Sequence, residues 1–136
     1  MPDLNSLYSK WTPRLLSILR IVVALLFIEH GTQKLIGFPV PLNTSGSLPP
    51  LMLVAGVLES CGGLLILLGL FTRPVAFLLS GEMAVAYFTS HAPRGFFPLQ
   101  NMGEVTVLYC FIFLFMVVAG GGVWSLDNLL WRRSGT

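Results

Sequence analysis

Four long runs of apolar residues are separated along the chain by short segments rich in proline, glycine or polar residues. The runs cover residues 15–35, 51–71, 74–91 and 105–124. A helix needs about 20 mostly apolar residues to cross about 30 Å of hydrocarbon, and each run approaches or reaches that length. None of them alternates apolar and polar positions as a strand does. Because a spanning helix satisfies its own backbone in lipid, the pattern predicts an all-α membrane protein, a four-transmembrane-helix bundle.

Turn-forming residues separate these runs. Residues 37–50 form an uncharged loop rich in proline, glycine and serine, and residues 71–74 form a tight turn in which Pro74 suits a first helical position. Three glycines at 120–122 end the fourth run. Ser125 follows them and is a candidate cap for a short tail helix that runs up to Arg133.

The composition narrows the class of protein. Of the 136 residues, 54% are hydrophobic and only 10% are charged, whereas a soluble domain carries roughly 25% charged residues. This excludes a disordered chain, a coiled coil, a nucleic-acid-binding arm and a secreted disulfide scaffold. The net charge of +2 is too small to indicate a polyanionic partner. We therefore expect a single membrane domain over residues 1–136, with the lipid bilayer as a partner and no nucleic acid.

The distribution of lysine and arginine predicts the orientation. Basic residues near a helix end favour the cytoplasmic side. Five of them fall on one side of the predicted bundle and two on the other: Lys10, Arg14, Arg73, Arg132 and Arg133 against Lys34 and Arg94. The prediction is that both termini are cytoplasmic.

Ionisable residues occur within or at the ends of the apolar runs, where a charge costs at least about 2.5–3.5 kcal/mol near the bilayer centre. Such residues usually face the bundle interior and have partners. At about 1.5 Å per residue, their depths form a series from one membrane face to the other. One interpretation is a polar cavity, a proton path or the floor of a ligand site. The other is a single Arg–Glu pair that fixes helix packing beside a protonated second glutamate. The candidates are Arg20, His30, Lys34, Glu59, Glu82 and Glu104.

Helical phase orders the residues of the first run. At about 100° per residue, Gly31 and Lys34 lie on nearly the same face as Arg20, together with Ala24 and Phe27. Glu29 lies on the opposite face and is near enough to the interface to reach it. His30 is either a solvated interfacial residue or a proton-exchange group.

Two of the glutamates have distinct local patterns. Small residues recur at four-residue spacing around Glu59, which permits close helix approach and leaves room beside the acid. Glu104 has a structural interpretation, because Asn101 three residues before it completes the pattern of a capping box. Cys61 and Cys110 lie in apolar runs with no Cys-x-x-Cys pattern and are expected to be packing residues. No spacing of metal ligands is present.

These residues, taken in order, resemble the DoxX family of small four-helix membrane proteins. The resemblance runs from about Arg20 to Asp127, with Ala24 where the family often has glycine. Its parts are Arg20 ahead of Phe27-x-x-His30-Gly31-x-x-Lys34-Leu35; Gly56-x-x-Glu59-x-x-Gly62-Gly63-Leu64 with Gly69-Leu70-x-Thr72-Arg73; Gly81-Glu82-Met83 through Tyr87 to His91; and Phe97-Pro98-x-x-Asn101-x-Gly103-Glu104. The family is similar to DoxD, which is associated with a thiosulfate:quinone oxidoreductase, and more distantly to membrane chaperones and cargo receptors. The resemblance implies a location in the bacterial inner (plasma) membrane.

Three functions follow as hypotheses. The first is an oxidoreductase-associated subunit that binds quinone or works with a soluble or membrane redox partner. In it Glu59 or Glu82 exchanges protons, and Arg20 or His30 polarises a carbonyl. The second is a non-enzymatic adaptor or assembly factor. The third is a small-solute or proton carrier, for which one four-helix unit is small and a dimer is needed. The sequence leaves open whether the chain is an enzyme and whether it forms a homo-oligomer.

Overall fold

A computed structural model describes residues 3–133 of the chain. Within that range the protein is all-helical and contains no strand, as the apolar pattern predicts. The elements are α1 (Leu4–Ile36), α2 (Pro50–Leu68), α3 (Thr72–Ala86), a π-helical turn (Tyr87–His91), a 3₁₀ turn (Ala92–Arg94), α4 (Pro98–Asn101), α5 (Glu104–Ala119) and α6 (Leu126–Arg133).

The helix ends differ from the predicted bounds for local reasons. The first helix begins at Leu4 rather than near residue 15, because the Asp3 side chain accepts a hydrogen bond from the amide of Asn5 and starts it earlier. Its C-terminus at Gly37 has φ of 70°, a conformation that favours glycine. At the other end of the chain, α5 stops at Ala119 and not at residue 124, because Gly120 has φ of 79° and breaks the helix.

The tail helix has the predicted start. The hydroxyl of Ser125 accepts from the amide of Asn128 at 3.2 Å, so Ser125 caps α6 as expected. The prediction for Pro74 is wrong, because the third helix begins at Thr72 and Pro74 is its third residue. Its first amides, those of Phe71 and Thr72, donate to the two carboxylate oxygens of Asp127 at 2.8 Å each. A residue 55 positions away therefore supplies the cap of α3.

The helices pack as two closely associated pairs, α1 with α2 and α3 with α5, and α2 also contacts α3. Phe27 of α1 joins the pairs, because its ring meets Tyr109 and Phe113 of α5 edge-on at centroid distances of 5.1 and 4.9 Å. Such edge-to-face pairs add to the stabilisation from buried apolar area. Leu79 of α3 and Ile66 of α2 complete the centre of the core.

The remaining apolar surface faces outward. Leu51, Phe77, Phe111 and Val118 are each more than 60% exposed. Two helices, α1 and α2, are long and apolar enough to cross a membrane, and α5 is a shorter apolar helix. Only 28% and 22% of the most apolar windows of α1 and α2 are buried. A core helix of a soluble protein is buried over most of its surface, so these helices have the surface expected of helices in contact with lipid.

Candidate functional site

Lys34 and Glu59 form an ion pair between α1 and α2. The ammonium group of Lys34 donates to both carboxylate oxygens of Glu59. The Glu59 side chain is 4% exposed, whereas that of Lys34 is 19% exposed because it lies near the end of its helix. A negative charge on Glu59 is therefore shielded from the surroundings of the bundle and is compensated by the positive charge of Lys34.

Close contact between α1 and α2 brings this pair together. A Cβ atom at Gly31 would lie 2.6 Å from the amide nitrogen of Ser60 and 2.9 Å from the carbonyl oxygen of Gly56. Both atoms belong to the backbone and cannot rotate away, so position 31 accepts only glycine at this helix separation. The small residues around Glu59 therefore have the packing role that their spacing predicts.

Glu82 of α3 lies beside the ion pair without a partner of its own. Both of its carboxylate oxygens are buried, and neither has a hydrogen-bond partner within residues 3–133. The charges of Glu59 and Lys34 both act on it. Buried polar groups in folded proteins are nearly always hydrogen-bonded, so an unpartnered carboxyl group inside a helix bundle indicates a functional position. We call Lys34, Glu59 and Glu82 the acid–lysine cluster.

An aromatic side chain completes the surroundings of the cluster. Tyr109 of α5 is 7% exposed, and the charges of Glu29 and Glu59 act on its hydroxyl group. The ring of His30 meets that of Tyr109 edge-on at 5.8 Å. His30 is otherwise exposed, and so is Glu29, as the helical phase of α1 predicts. His30 is therefore at the edge of the cluster.

Arg20 is a candidate that the structure places elsewhere. Its side chain is fully buried and donates to four backbone carbonyls: those of Gly121 at 2.8 Å, Ile66 and Trp124 at 2.6 Å, and Leu67. No carboxylate is among them. The alternative of a single Arg–Glu pair is therefore wrong, because the buried glutamate pairs with Lys34. The guanidinium group instead neutralises the last carbonyls of α2 and fixes the loop before α6.

Glu104 is separate from the cluster as well. It is the exposed first residue of α5, where a negative charge suits the positive end of the helix. The predicted capping box does not form. Asn101 ends the short α4 instead, and its side-chain oxygen accepts from the amide of Gly103 at 2.9 Å.

A polar network outside the predicted site residues surrounds Asn101. Its amide group donates to the hydroxyl of Tyr87 at 3.2 Å and to the carbonyl of Gly95 at 2.9 Å. His91 contacts the Asn101 carbonyl at 3.1 Å and the Thr106 hydroxyl at 3.3 Å. Tyr87 and His91 bound the π-helical turn, a feature often found at functional sites. The sequence signal for these residues was the family motif that runs through Tyr87 to His91 and includes Asn101, and it did not show that they form one network.

The acid–lysine cluster can hold and exchange a proton. A carboxyl group without a fixed partner accepts or donates one without breaking an existing hydrogen bond, and the neighbouring Lys34 compensates one negative charge. Within residues 3–133, no three His, Cys, Asp or Glu side chains are arranged to hold a metal ion. Cys61 is exposed, Cys110 is half-buried, and both are free thiols.

Comparison with known proteins gives a consistent family. The DoxX family model matches residues 15–92. An uncharacterized protein of Haemophilus influenzae is 47% identical over 91% of this chain and 96% of its own length. The inner membrane proteins YqjF and YphA of Escherichia coli are 31% and 32% identical, each over 85% of this chain and over 92% and 90% of their own lengths. No solved structure is significantly similar to the chain.

Proposed function

The chain belongs to the DoxX family of integral inner-membrane proteins, and from that premise we propose that it is a quinone-binding subunit that works with a redox partner. The observation that carries the proposal is Glu82, whose two carboxylate oxygens are buried beside an ion pair and lack a hydrogen-bond partner within residues 3–133. Quinones are apolar molecules whose carbonyl oxygens take up protons on reduction, so a buried acid inside a membrane helix bundle suits them.

The topology that we propose has four crossings with both termini in the cytoplasm. The crossing segments are α1, α2, α3 continued through its π-helical turn, and α5. At about 1.5 Å per residue, α3 and its turn are long enough for about 30 Å of hydrocarbon, whereas the 16 residues of α5 reach about 24 Å. The distribution of lysine and arginine supports the orientation.

Cysteine labelling tests this topology. In a variant without Cys61 and Cys110, Ser47→Cys lies in the loop after α1 and Ser6→Cys lies near the N-terminus. A membrane-impermeant maleimide is expected to label Ser47→Cys in intact spheroplasts and Ser6→Cys only after lysis. Labelling of both positions, or only of Ser6→Cys, in intact spheroplasts would contradict the orientation.

The residues of the cluster fit a quinone head group. Lys34 is the available cation and can donate to a ring carbonyl oxygen, while Glu59 holds its ammonium group in position. Glu82 holds the proton to be transferred, and Tyr109 bounds the site on the side of α5. A bound quinone would supply the capacity to accept two electrons from the redox partner. Of the two protons that this reduction takes up, Glu82 would give one and water at the membrane surface the other. The exposed apolar faces of the helices leave the isoprenoid tail in lipid.

Mass spectrometry of the organic extract from purified protein tests the proposal. Wild-type protein is expected to retain about one quinone per chain, and Glu59→Gln/Glu82→Gln is expected to retain none. The matched control is Glu29→Gln/Glu104→Gln, which neutralises two exposed glutamates and leaves the cluster intact. Absence of quinone from the wild type after incubation with an excess of it, or equal retention by both double variants, would refute quinone binding at this site.

An adaptor function is the second candidate, favoured by the segment between the π-helical turn and α5. Phe96 is 86% exposed, and Phe97, Leu99 and Met102 are each at least 65% exposed. An apolar surface of this kind at the end of a bundle can contact a partner protein. Photo-crosslinking from position 96 is expected to recover one partner reproducibly if the chain is an adaptor. Recovery of lipid alone would exclude that function for this surface.

A further inference from the structure

A cavity lies far from the acid–lysine cluster. It has a volume of about 650 Å³, within the range of pockets that hold small ligands. The first half of α1, the start of α3, the loop at residues 120–123 and α6 surround it. Leu16, which lines it, is 18 positions before Lys34 on α1, or roughly 27 Å along the helix axis. The two sites are therefore near opposite ends of the bundle.

One wall of the cavity carries hydrogen-bond donors. The Nη1 atom of the Arg73 guanidinium group donates hydrogen bonds to the carbonyls of Val117 and Val118, at the end of α5. Its Nε and Nη2 atoms have no acceptor within residues 3–133. The Arg73 side chain lies against Gly120: a Cβ atom added at position 120 would be 3.3 Å from Nη2. A planar group with two free donors is suited to the oxygens of a phosphate.

The backbone next to Arg73 adds further donors. Gly121 and Gly122 also line the cavity, and their amides donate to no acceptor in the described part of the chain. The negative charge of Asp127 at this wall is offset, because both of its oxygens accept from amides at the start of α3. The lining therefore includes a partly unused guanidinium group and two amides without acceptors within residues 3–133, which are donors of the kind that bind anions.

Another part of the wall is apolar. Leu16, Phe71 and Trp131 line it, and tryptophan is the residue most typical of the boundary between head groups and hydrocarbon. Basic residues stand close in sequence to lining residues: Lys10 and Arg14 flank Pro13 on α1, and Arg132 follows Trp131 on α6. Basic pockets between membrane helices bind anionic lipid head groups.

We propose that this cavity binds an anionic phospholipid, with the phosphate on Arg73 and the glycine amides and the first part of the acyl chains against Leu16 and Phe71. The combination of an anion-binding wall and an apolar wall selects a lipid over a free phosphate, because a free phosphate leaves the apolar wall uncovered. The proposal is independent of quinone binding at the other end of the bundle.

Native mass spectrometry of the full chain tests it. The protein is released from mixed micelles that contain equal amounts of phosphatidylglycerol and phosphatidylcholine with identical acyl chains. Wild type is expected to retain one phosphatidylglycerol in preference to phosphatidylcholine. Arg73→Gln is expected to weaken that retention about tenfold or more, because charge-assisted hydrogen bonds to the phosphate are lost. Arg94→Gln, which removes a basic residue from the 3₁₀ turn after α3, is the matched control and is expected to bind as wild type does.

A second variant separates binding from folding, since Arg73 also contacts the end of α5. Leu16→Trp fills the cavity and leaves Arg73 untouched, and it is expected to lose the bound lipid with an unchanged helical circular-dichroism spectrum. Equal retention of the two lipids by wild type, or an equal loss in Arg94→Gln and Arg73→Gln, would overturn the proposal. Displacement of the lipid by millimolar inorganic phosphate alone would overturn the choice of a lipid over a free phosphate.

Discussion

The ion pair between Lys34 and Glu59 predicts an unequal response to removal of its two members. We consider Lys34→Met, Glu59→Met and the double variant, because methionine is close in size to both side chains and can be accommodated in lipid-facing helices. Lys34→Met leaves Glu59, with a side chain that is 4% exposed, without a cation. Glu59→Met leaves Lys34, with a side chain that is 19% exposed and an ammonium group that can turn toward the interface.

The expected magnitudes follow from this difference in burial. Removing one partner of a buried pair costs about 3–5 kcal/mol when the other charge stays buried, and we expect Lys34→Met to fall in that range. Glu59→Met is expected to cost about 1–2 kcal/mol, since the free lysine reaches the interface. The double variant is expected within about 1 kcal/mol of wild type, because two apolar side chains replace a desolvated pair. The coupling energy then exceeds the ~0.6 kcal/mol average of interhelical hydrogen bonds in membranes.

Unfolding of the purified protein by SDS in mixed micelles, followed by circular dichroism, measures these free energies. Glu29→Gln is the matched control, because Glu29 is an exposed glutamate of α1, and its effect is expected within about 0.5 kcal/mol of zero. Additive effects of Lys34→Met and Glu59→Met would refute the pairing. So would a larger cost for Glu59→Met than for Lys34→Met, because the reasoning from burial predicts the reverse order.

Three further predictions concern the close packing at Gly31 and the polar contacts of Arg20 and Asp127. Gly31→Ala is expected to destabilise the bundle by about 1–3 kcal/mol, because the added Cβ meets backbone atoms of α2. Gly81→Ala has open space around it and is expected to be neutral or to stabilise the bundle by up to about 1 kcal/mol. SDS unfolding of the two variants compares these free energies. Arg20→Lys is expected to speed hydrogen exchange of the amides at residues 121–126, because one ammonium group cannot donate to four carbonyls. Unchanged exchange there would contradict the inference that Arg20 fixes the loop before α6. Asp127→Asn is expected to lower the free energy of unfolding by about 1–2 kcal/mol, because the cap of α3 is lost. The control Asp3→Asn, at the exposed start of α1, is expected to lower it by less than about 0.5 kcal/mol. Equal losses in the two variants would contradict the capping function of Asp127.

Parts of the candidate site were predictable from helical phase alone. The phase of α1 places Arg20, Ala24, Phe27 and Gly31 on one face, and all four are buried in the structure. It also excludes Glu29, which is exposed. The failed prediction of a capping box at Asn101 has a clear cause. A local pattern of three residues does not reveal that α4 ends at Asn101, or that its side chain is used by Tyr87 and Gly95.

The amino-acid sequence by itself determined the class of the protein, because apolar runs of about 20 residues with few charges have a defined behaviour in lipid. It also determined which residues of each helix share a face. Only the tertiary structure decided that Lys34, and not Arg20, pairs with Glu59. Phase along one helix contains no information about the rotation and the register of its neighbour. The tertiary structure also decided the partners of Arg20. These partners are backbone carbonyls, which every residue carries, so only the arrangement of the chain selects among them.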